Sequence, residues 1–575
     1  MKRIFLVALT TLLAATPLSA KPNALFIAID DLNDWIGVLG GHPQARTPNL
    51  DRLAASGVLF TNAHCAAPAC NPSRSAIFTG ISPHRSGLYQ NGQKMRQVLP
   101  AAELLPKTLS RAGYWSAGSG KMLHYFIDAQ SWDEYFPPKK TENPFPRTLY
   151  PNKRPVSLPR GGPWQYYETD WGPLDATDAE YGGDYLVSEW IANQLLKKHD
   201  KPFFLACGIY RPHEPWFVPK KYFDAFPLEE IQLPPGYKED DLDDLPSEGK
   251  RIGPNRYFAH IRAHKQWKSA VQGYLASIYF ADTMLGHVLE ALEKGPNAKD
   301  TIVVLWSDHG WHLGEKQHWQ KFTAWRACTR VPLIVRVPAE TPGLPTGTRS
   351  GTCSKPVSLL SLAPTVLELC GLPPVKAHDG SSLIPLLSNP KDHWPHVAIT
   401  HLGSPGSFGL STEHWRYIRY SGGGEELYNI ETDAYEWQNL ANQRAHQATL
   451  EHLRALAPKK FAKFVQPKVE TLPTLKWKPL AAATKAPPSK PDGNPFDVVF
   501  INRSGRKVEL FWMDLTGGSK PYVVIAHGAQ YRQQTRPGAV WMIAEAEGKA
   551  GKKLGYFKVG DRAARAVVPK QEEKL

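Results

Sequence analysis

Three short apolar runs that each give way to a polar cluster constrain this chain more than any other feature. Asn23-Ala24-Leu25-Phe26-Ile27-Ala28-Ile29 stops on Asp30-Asp31, and Thr301 to Trp306 stops on Ser307-Asp308-His309-Gly310. Pro202 to Cys207 is followed by the loop Arg211-Pro212-His213-Glu214-Pro215. Unbroken apolar runs of this length are the pattern of strands covered on both faces, the usual state of a parallel sheet. Helical segments stand between them, at Pro48 to Ala54 and at Val271 to Leu292, where apolar residues recur every three to four positions. Gly57 to Phe60 reads as a further strand. The alternation predicts an α/β domain with a mostly parallel central sheet. Ligands of such sheets bind at the carboxyl ends of the strands, where these polar clusters fall.

A second element carries reactive residues. In Cys70-Asn71-Pro72-Ser73-Arg74-Ser75-Ala76-Ile77-Phe78-Thr79-Gly80, Pro72 suits the first turn of a helix, where the N–H it lacks has no partner. Cys70 then meets unpaired N–H groups and the positive end of the helix dipole, and Arg74, one turn on, adds a fixed charge. Taken alone, the residues fit either an activated thiol or a small buried core residue. Asp30-Asp31 and Asp308-His309 are equally open, as ligands of a hard cation or as solvated loop groups. Lys121 and His124 in Gly120-Lys121-Met122-Leu123-His124, His213 in its Pro-flanked loop, and Lys321 in His318-Trp319-Gln320-Lys321 would each be structural in most proteins.

At 575 residues the chain exceeds one typical core, so two or more domains are expected. Lys and Arg outnumber Asp and Glu by 68 to 54, a net charge of +14. No Lys/Arg block or nucleic-acid motif accompanies the excess, which points to anionic substrates or plain surface charge and away from nucleic acid. Met1-Lys2-Arg3, the apolar run Ile4 to Ala15 and Pro17-Leu18-Ser19-Ala20 read as a secretory signal peptide, residues 1–20. The mature chain is therefore expected to be exported, to the periplasm or beyond; an uncleaved anchor is the alternative. Cys65, Cys70, Cys207, Cys328, Cys353 and Cys370 are too sparse for a disulfide framework.

From about His396 the pattern changes to shorter strands, such as Glu425 to Ile430, and a helix near Gln447 to Leu456. Residues 466–493, rich in Pro, Lys, Thr and Ala, read as an interdomain linker. From Asn494 the runs Val498 to Ser504, Val508 to Trp512 and Val540 to Ile543, separated by Gly-containing turns, predict an all-β domain over 494–575.

The Cys70 to Gly80 segment resembles the signature of the type I sulfatases, Cys-x-Pro-Ser-Arg-x-x-x-(Leu or Phe)-Thr-Gly. With the other five motifs matching in order and spacing, the resemblance covers nearly all of residues 23–460. Ser307 to Glu315 and Trp319-Gln320-Lys321 are similar in particular to the iduronate-2-sulfatase type. The resemblance implies an alkaline-phosphatase-like sulfatase sandwich over 21–395 and a small C-terminal subdomain over 396–465. It implies that a maturation enzyme oxidises Cys70 to formylglycine, and that Asp30, Asp31, Asp308 and His309, with modified Cys70, bind Ca2+. Arg74 and Lys121 then match the groups that hold the aldehyde hydrate, His124 the base, and His213 and Lys321 the groups around the sulfate and the leaving oxygen. The implied reaction is hydrolysis of a sulfate ester on a sulfated, uronate-containing saccharide. Phosphomonoester or phosphonate hydrolysis by the same fold, or binding by a relict enzyme, are the alternatives. His312, Arg326, His401 and Trp415 are taken as loop residues that read the sugar.

The last segment resembles the β-domain of the von Hippel–Lindau tumour suppressor, through Phe500-Ile501-Asn502-Arg503-Ser504, Trp512, Pro521-Tyr522 and Gly538 to Trp541. That resemblance implies a pocket for a peptide or protein ligand, in that family a hydroxyproline-bearing peptide, at Trp512, Tyr522, Thr535 and Trp541. Ala539 stands where the family has a pocket histidine.

Overall fold

In the computed structural model the three apolar runs lie side by side at the centre of one sheet. The structure describes residues 21–570 apart from 153–157, 159–168, 339–340, 342–349, 467, 482–483, 492–495, 537, 547–550 and 561–562. The expected signal peptide lies outside the described residues. The sheet comprises β1 (Asn23–Ile29), β2 (Val58–Phe60), β3 (Trp115–Gly120), β4 (Glu134–Phe136), β5 (Phe203–Ile209), β6 (Thr301–Ser307), β7 (Leu333–Arg336) and β8 (Gly351–Cys353). Its order is β8-β2-β7-β6-β1-β5-β3-β4. β1 pairs in parallel with both β5 and β6, and β7 alone runs antiparallel to its neighbours.

Alternation along β1 explains the two-sided core. Leu25, Ile27 and Ile29 enter one apolar cluster, and Ala24, Phe26 and Ala28 enter the other. The first face is covered by α1 (Pro48–Ala55), and the second by α2 (Cys70–Thr79). Further along the chain, α3 (Asp184–Leu195) and the 28-residue α4 (Trp267–Lys294) cover the first face, and α5 (Leu362–Leu369) covers the second. All ten residues of α2 are buried, and the helix stops at Gly80, φ 67°. A Cβ at Gly80 would stand 2.2 Å from the His378 ring, so the Thr-Gly that closes the motif is required by packing as well as by backbone conformation.

Four strands, β9 (Ala398–His401), β10 (Phe408–Ser411), β11 (Trp415–Arg419) and β12 (Glu425–Asn429), form an antiparallel meander. Leu450 and Leu453 of α6 (Gln447–Leu456) pack on Phe408, Leu410, Tyr417 and Leu427 of these strands.

The C-terminal region is all-β. Its strands are β13 (Lys478–Pro479), β14 (Phe496–Asn502), β15 (Val508–Met513), β16 (Ser519–Ile525), β17 (Gln530–Thr535), β18 (Val540–Glu545), β19 (Lys553–Lys558) and β20 (Ala564–Val568). They form a five-stranded sheet, β13-β19-β18-β15-β16, and a three-stranded sheet, β17-β14-β20. Val498, Phe500, Leu510, Trp541, Ile543 and Phe557 share one core between them.

The segment read as a linker, 466–493, docks on the sandwich along part of its length. β13 lies inside it and pairs with β19, while Leu475 and Trp477 pack on the sandwich core. Ser489 and Lys490 donate backbone hydrogen bonds to Asp514 and Gly538. The Pro- and Lys-rich composition masked a segment whose few apolar residues are enough to dock it.

Candidate active site

The polar clusters converge at the carboxyl ends of the central strands. Asp30 and Asp31 follow β1, Lys121 follows β3, Arg211 and His213 follow β5, and Asp308 and His309 follow β6. The start of α2 brings Cys70 and Arg74 into the same space. Gly120 ends β3 at φ 73°, and a Cβ there would stand 2.1 Å from the carbonyl oxygen of Gly208, so close strand packing delivers Lys121 to the site.

Arg74 is the hub. Its Nη2 donates to Asp30 Oδ1 and its Nε to Asp308 Oδ2, both at 2.8 Å, and Nη1 donates to the carbonyl of Met122 at 3.3 Å. One guanidinium thus fixes β1, β6 and the loop after β3 together, as its planar fork allows. Ser73 Oγ donates to the Asp308 carbonyl at 2.6 Å, and Asn91 Oδ1 accepts from the Asn71 N–H, one of the free donors at the helix start, at 2.9 Å.

Cys70 Sγ is surrounded by positive charge. Lys321 Nζ stands at 3.1 Å, His309 Nε2 at 3.3 Å and Lys121 Nζ at 3.7 Å. Lys121 also donates to Asp30, and Lys321 Nζ lies 2.8 Å from Asp31 Oδ1. His213 Nε2 is 3.7 Å from Asp31 Oδ2. Burial alone would push the Cys70 thiol up, but Lys121, Lys321 and His309 outweigh it and hold the thiol well below its ordinary value. The two other histidines diverge. Burial lowers His124 to about 4, and its buried Nδ1 has no hydrogen-bond partner among the described residues. His213, despite burial, is raised by Asp31. Asp308 is pushed up to about 6 by burial, against Arg74 and His309.

These donors fit a metal ion. Ligand atoms of Asp31, Cys70, Asp308 and His309 lie within 4.8 Å of one another, as do those of Asp30, Asp31 and His213. The carboxylates supply the oxygens that a hard divalent cation prefers.

All the residues singled out for chemistry meet here, but several partners have no sequence signal of their own. Tyr274 of α4 donates to the Asp31 carbonyl at 2.8 Å and accepts from the Asn33 N–H at 3.1 Å. Asp184, at the start of α3, accepts from the N–H groups of Tyr210 and Arg211, at 2.6 and 2.9 Å, and so shapes the histidine loop. Gln320 Nε2 donates to Glu214 Oε1 at 2.6 Å, tying the loop of Lys321 to the loop of His213. Gln320 and Glu214 sit inside motifs already noted, and this adjacency was the available clue.

Three of the residues expected to read the sugar are taken up by other contacts. His312 is fully buried and pairs with Thr323 Oγ1 at 2.7 Å, and buried His401 pairs with His84 at 3.2 Å. Trp415 packs against the core of the small subdomain. Apolar surroundings, hidden in the sequence by the loops between them, claim all three. Arg326 is held by its own backbone N–H, which donates to Glu436 at 2.7 Å.

In the β-sandwich the four residues expected to form a pocket do come together. Trp541 Nε1 donates to Thr535 Oγ1 at 2.9 Å, and the half-exposed Tyr522 ring meets Trp541 edge-on at 4.9 Å. Trp512 is the cross-strand partner of Trp541.

A buried cluster of carboxylates, lysines and histidines around one helix-start residue, at the strand ends of an α/β sheet, defines a hydrolase centre built for an anionic ester. The family model for sulfatases matches residues 22–372, and the model for the C-terminal part of N-sulphoglucosamine sulphohydrolase matches 314–461. The chain belongs to the sulfatase family and is a sulfuric ester hydrolase. A sulfatase of Formosa agariphila is 40% identical over 451 residues, covering 76% of this chain and 87% of that protein. The mouse iduronate 2-sulfatase is 30% identical over 438 residues, covering 69% and 78%. The phosphonate monoester hydrolase of Agrobacterium radiobacter shares the alkaline-phosphatase-like fold, with a TM-score of 0.60 at 21% identity over 76% of this chain and 95% of that one. Residues 489–554 match the VHL β-domain model.

Proposed function

We propose that this enzyme hydrolyses sulfate esters on a sulfated, uronate-containing saccharide, with Cys70 converted to formylglycine and a Ca2+ ion held by Asp30, Asp31, Asp308, His309 and residue 70. The observation that carries the reading is the ring of cations around Cys70 Sγ, with Lys321, His309 and Lys121 at 3.1, 3.3 and 3.7 Å. Such a site concentrates positive charge where an anionic ester must be attacked. The relation to the mouse iduronate 2-sulfatase supports the choice of sugar.

When present, the hydrated aldehyde supplies two hydroxyls on one carbon, and the ion supplies positive charge beside them. The protein's own groups do the rest. Lys121, Lys321 and Arg74 offset the charge of the sulfate and of the transition state. Asp308 takes a proton from the attacking hydroxyl, and His213 or Lys321 protonates the departing alcohol. His124, neutral through burial, accepts the second proton as sulfate leaves. The opposite shifts of His124 and His213 divide base from acid.

Residue 70 and the whole of α2 are buried, so a maturation enzyme must act before the domain folds. The N-terminal apolar run supports export, and fractionation of the expressed cell tests it. The exposed Tyr522 edge beside Trp541 supports a peptide or protein ligand for the sandwich, tested by tryptophan quenching with a hydroxyproline-bearing peptide.

Mass spectrometry of the Cys70 peptide from active enzyme should find the aldehyde. Turnover of 2-O-sulfated uronate disaccharides should far exceed that of matched phosphate and phosphonate esters. A thiol at residue 70 in fully active enzyme, or preference for the phosphorus esters, would sink the reading.

A further inference from the structure

A groove of about 630 Å³ lies between the short helix Pro83–Ser86 and the segment that follows α6. Its lining brings Arg85, Lys459 and Lys460 together with His84 and Phe461. The construction is fixed. The Ala462 N–H donates to the His84 carbonyl at 2.7 Å, and Tyr89 Oη donates to the Ala462 carbonyl at 3.0 Å. The Phe461 ring stacks on Phe408 at 6.1 Å and meets the edge of the His84 ring at 6.3 Å.

Two of the three cationic side chains in the groove have no counter-charge among the described residues. Arg85 has Asp379 as its ion-pair partner, but among the described residues neither Lys459 nor Lys460 has one, and both are exposed. Two exposed ammonium groups in a groove that also holds an aromatic ring suit a flexible chain with anions at intervals and an apolar sugar face between them. None of the residues that line the groove belongs to the catalytic cluster around Cys70.

We propose that this groove, lined by residues outside the catalytic cluster, binds a polysulfated glycan chain and so gives the enzyme a hold on polymeric substrate. The proposal rests on the reading that the substrate is a sulfated saccharide. Neither lysine belongs to the catalytic centre, and both are exposed, so K459A/K460A should fold as the parent does.

The test compares three proteins: the parent, K459A/K460A, and K552A/K553A, which loses the same charge from exposed positions on the sandwich. On immobilised heparin, K459A/K460A should elute at clearly lower salt, with roughly five-fold weaker binding, while the control shifts little. Its kcat/KM on a small aryl sulfate should match the parent's, and its KM on polymer should rise several-fold with kcat unchanged. Equal elution of all three proteins, or equal shifts in both variants, would overturn the proposal. If no sulfated saccharide is turned over but the selective elution shift remains, the substrate reading fails and the groove stands.

Discussion

The strand ends of the central sheet and the interior of the C-terminal sandwich bury side chains of opposite kinds. At the strand ends Asp30, Asp31, Arg74, Lys121, Asp308 and His309 are all completely buried, held by ion pairs. The sandwich core is built from Val498, Phe500, Leu510, Ile543 and Phe557, and its buried Asn502 is satisfied locally, donating to the carbonyls of Arg506 and Ile525 at 2.7 and 2.8 Å. Buried charges cost more in desolvation than apolar residues of equal volume, so a fold that only needed stability would be made like the sandwich. Charge concentrated at strand ends is therefore a mark of chemistry, and the sandwich shows what the same chain does without it.

The sharpest way to break this contrast is to remove the group at the centre of the charges. Cys70→Ala should lower kcat/KM on any sulfate ester by at least roughly 10³-fold. Its melting temperature should stay within a few degrees of the parent's, because the surrounding ion pairs remain. A variant with substantial turnover would mean that the cations serve some other group.

The second test asks whether the charges at the strand ends are costly to disturb. Arg74→Gln removes the guanidinium that bridges buried Asp30 and Asp308, leaving Asp30 to Lys121 and Asp308 to His309, and should cost about 3–5 kcal/mol in urea unfolding. Arg506→Gln removes a pair to Glu545 on the surface of the sandwich, 2.6 Å long with Arg506 44% exposed, and should cost less than about 1 kcal/mol. Equal costs would end the distinction between the two regions.

A third test uses acid. Burial lowers His401 to about 3, with the His84 charge adding to the effect, and burial lowers His42 to about 4. In the unfolded chain both titrate near 6.5, so below that pH the unfolded state binds more protons and stability falls as pH falls. At pH 5 each group should have removed about 2 kcal/mol relative to pH 7 and above. His401→Gln should therefore lose about 2 kcal/mol less than the parent between pH 7 and pH 5, measured by urea unfolding at both. The same steepness in the variant would show that His401 is not the source. No such histidine lies in the described core of the sandwich.

Much of the contrast was legible in the sequence. Unbroken apolar runs found β1, β5 and β6 because each is apolar over a length that only a buried strand uses, and the helix expected near Gln447 to Leu456 is α6. The site residues were legible because they sit at the ends of those runs. What stayed hidden depends on meetings between distant segments. Tyr274 on α4 reaches Asp31 across 243 positions, and Asp184 shapes the loop of Arg211 from the start of another helix. The burial of His312 and His401 follows from which loops fold over them, and composition hid the docking of Leu475 and Trp477.

The smallest effect lies where the sandwich departs from an all-apolar core. Trp541 is 2% exposed and its indole N–H donates to Thr535 Oγ1 at 2.9 Å. Trp541→Phe removes the donor, leaves the Thr535 hydroxyl to rotate toward another acceptor, and opens a small void. Lost hydrogen bonding of this kind costs about 1 kcal/mol, with a further packing loss of similar size. Thr535→Val keeps the shape and strands the indole N–H instead, so it should cost at least as much as the tryptophan change if the bond serves stability. If instead the pair is kept to present Tyr522 and Trp541 to a ligand, both variants should unfold close to the parent and differ from it only in tryptophan quenching by a hydroxyproline-bearing peptide. The two outcomes separate a polar group retained for the fold from one retained for binding, within the region that otherwise shows how the chain is stabilised without charge.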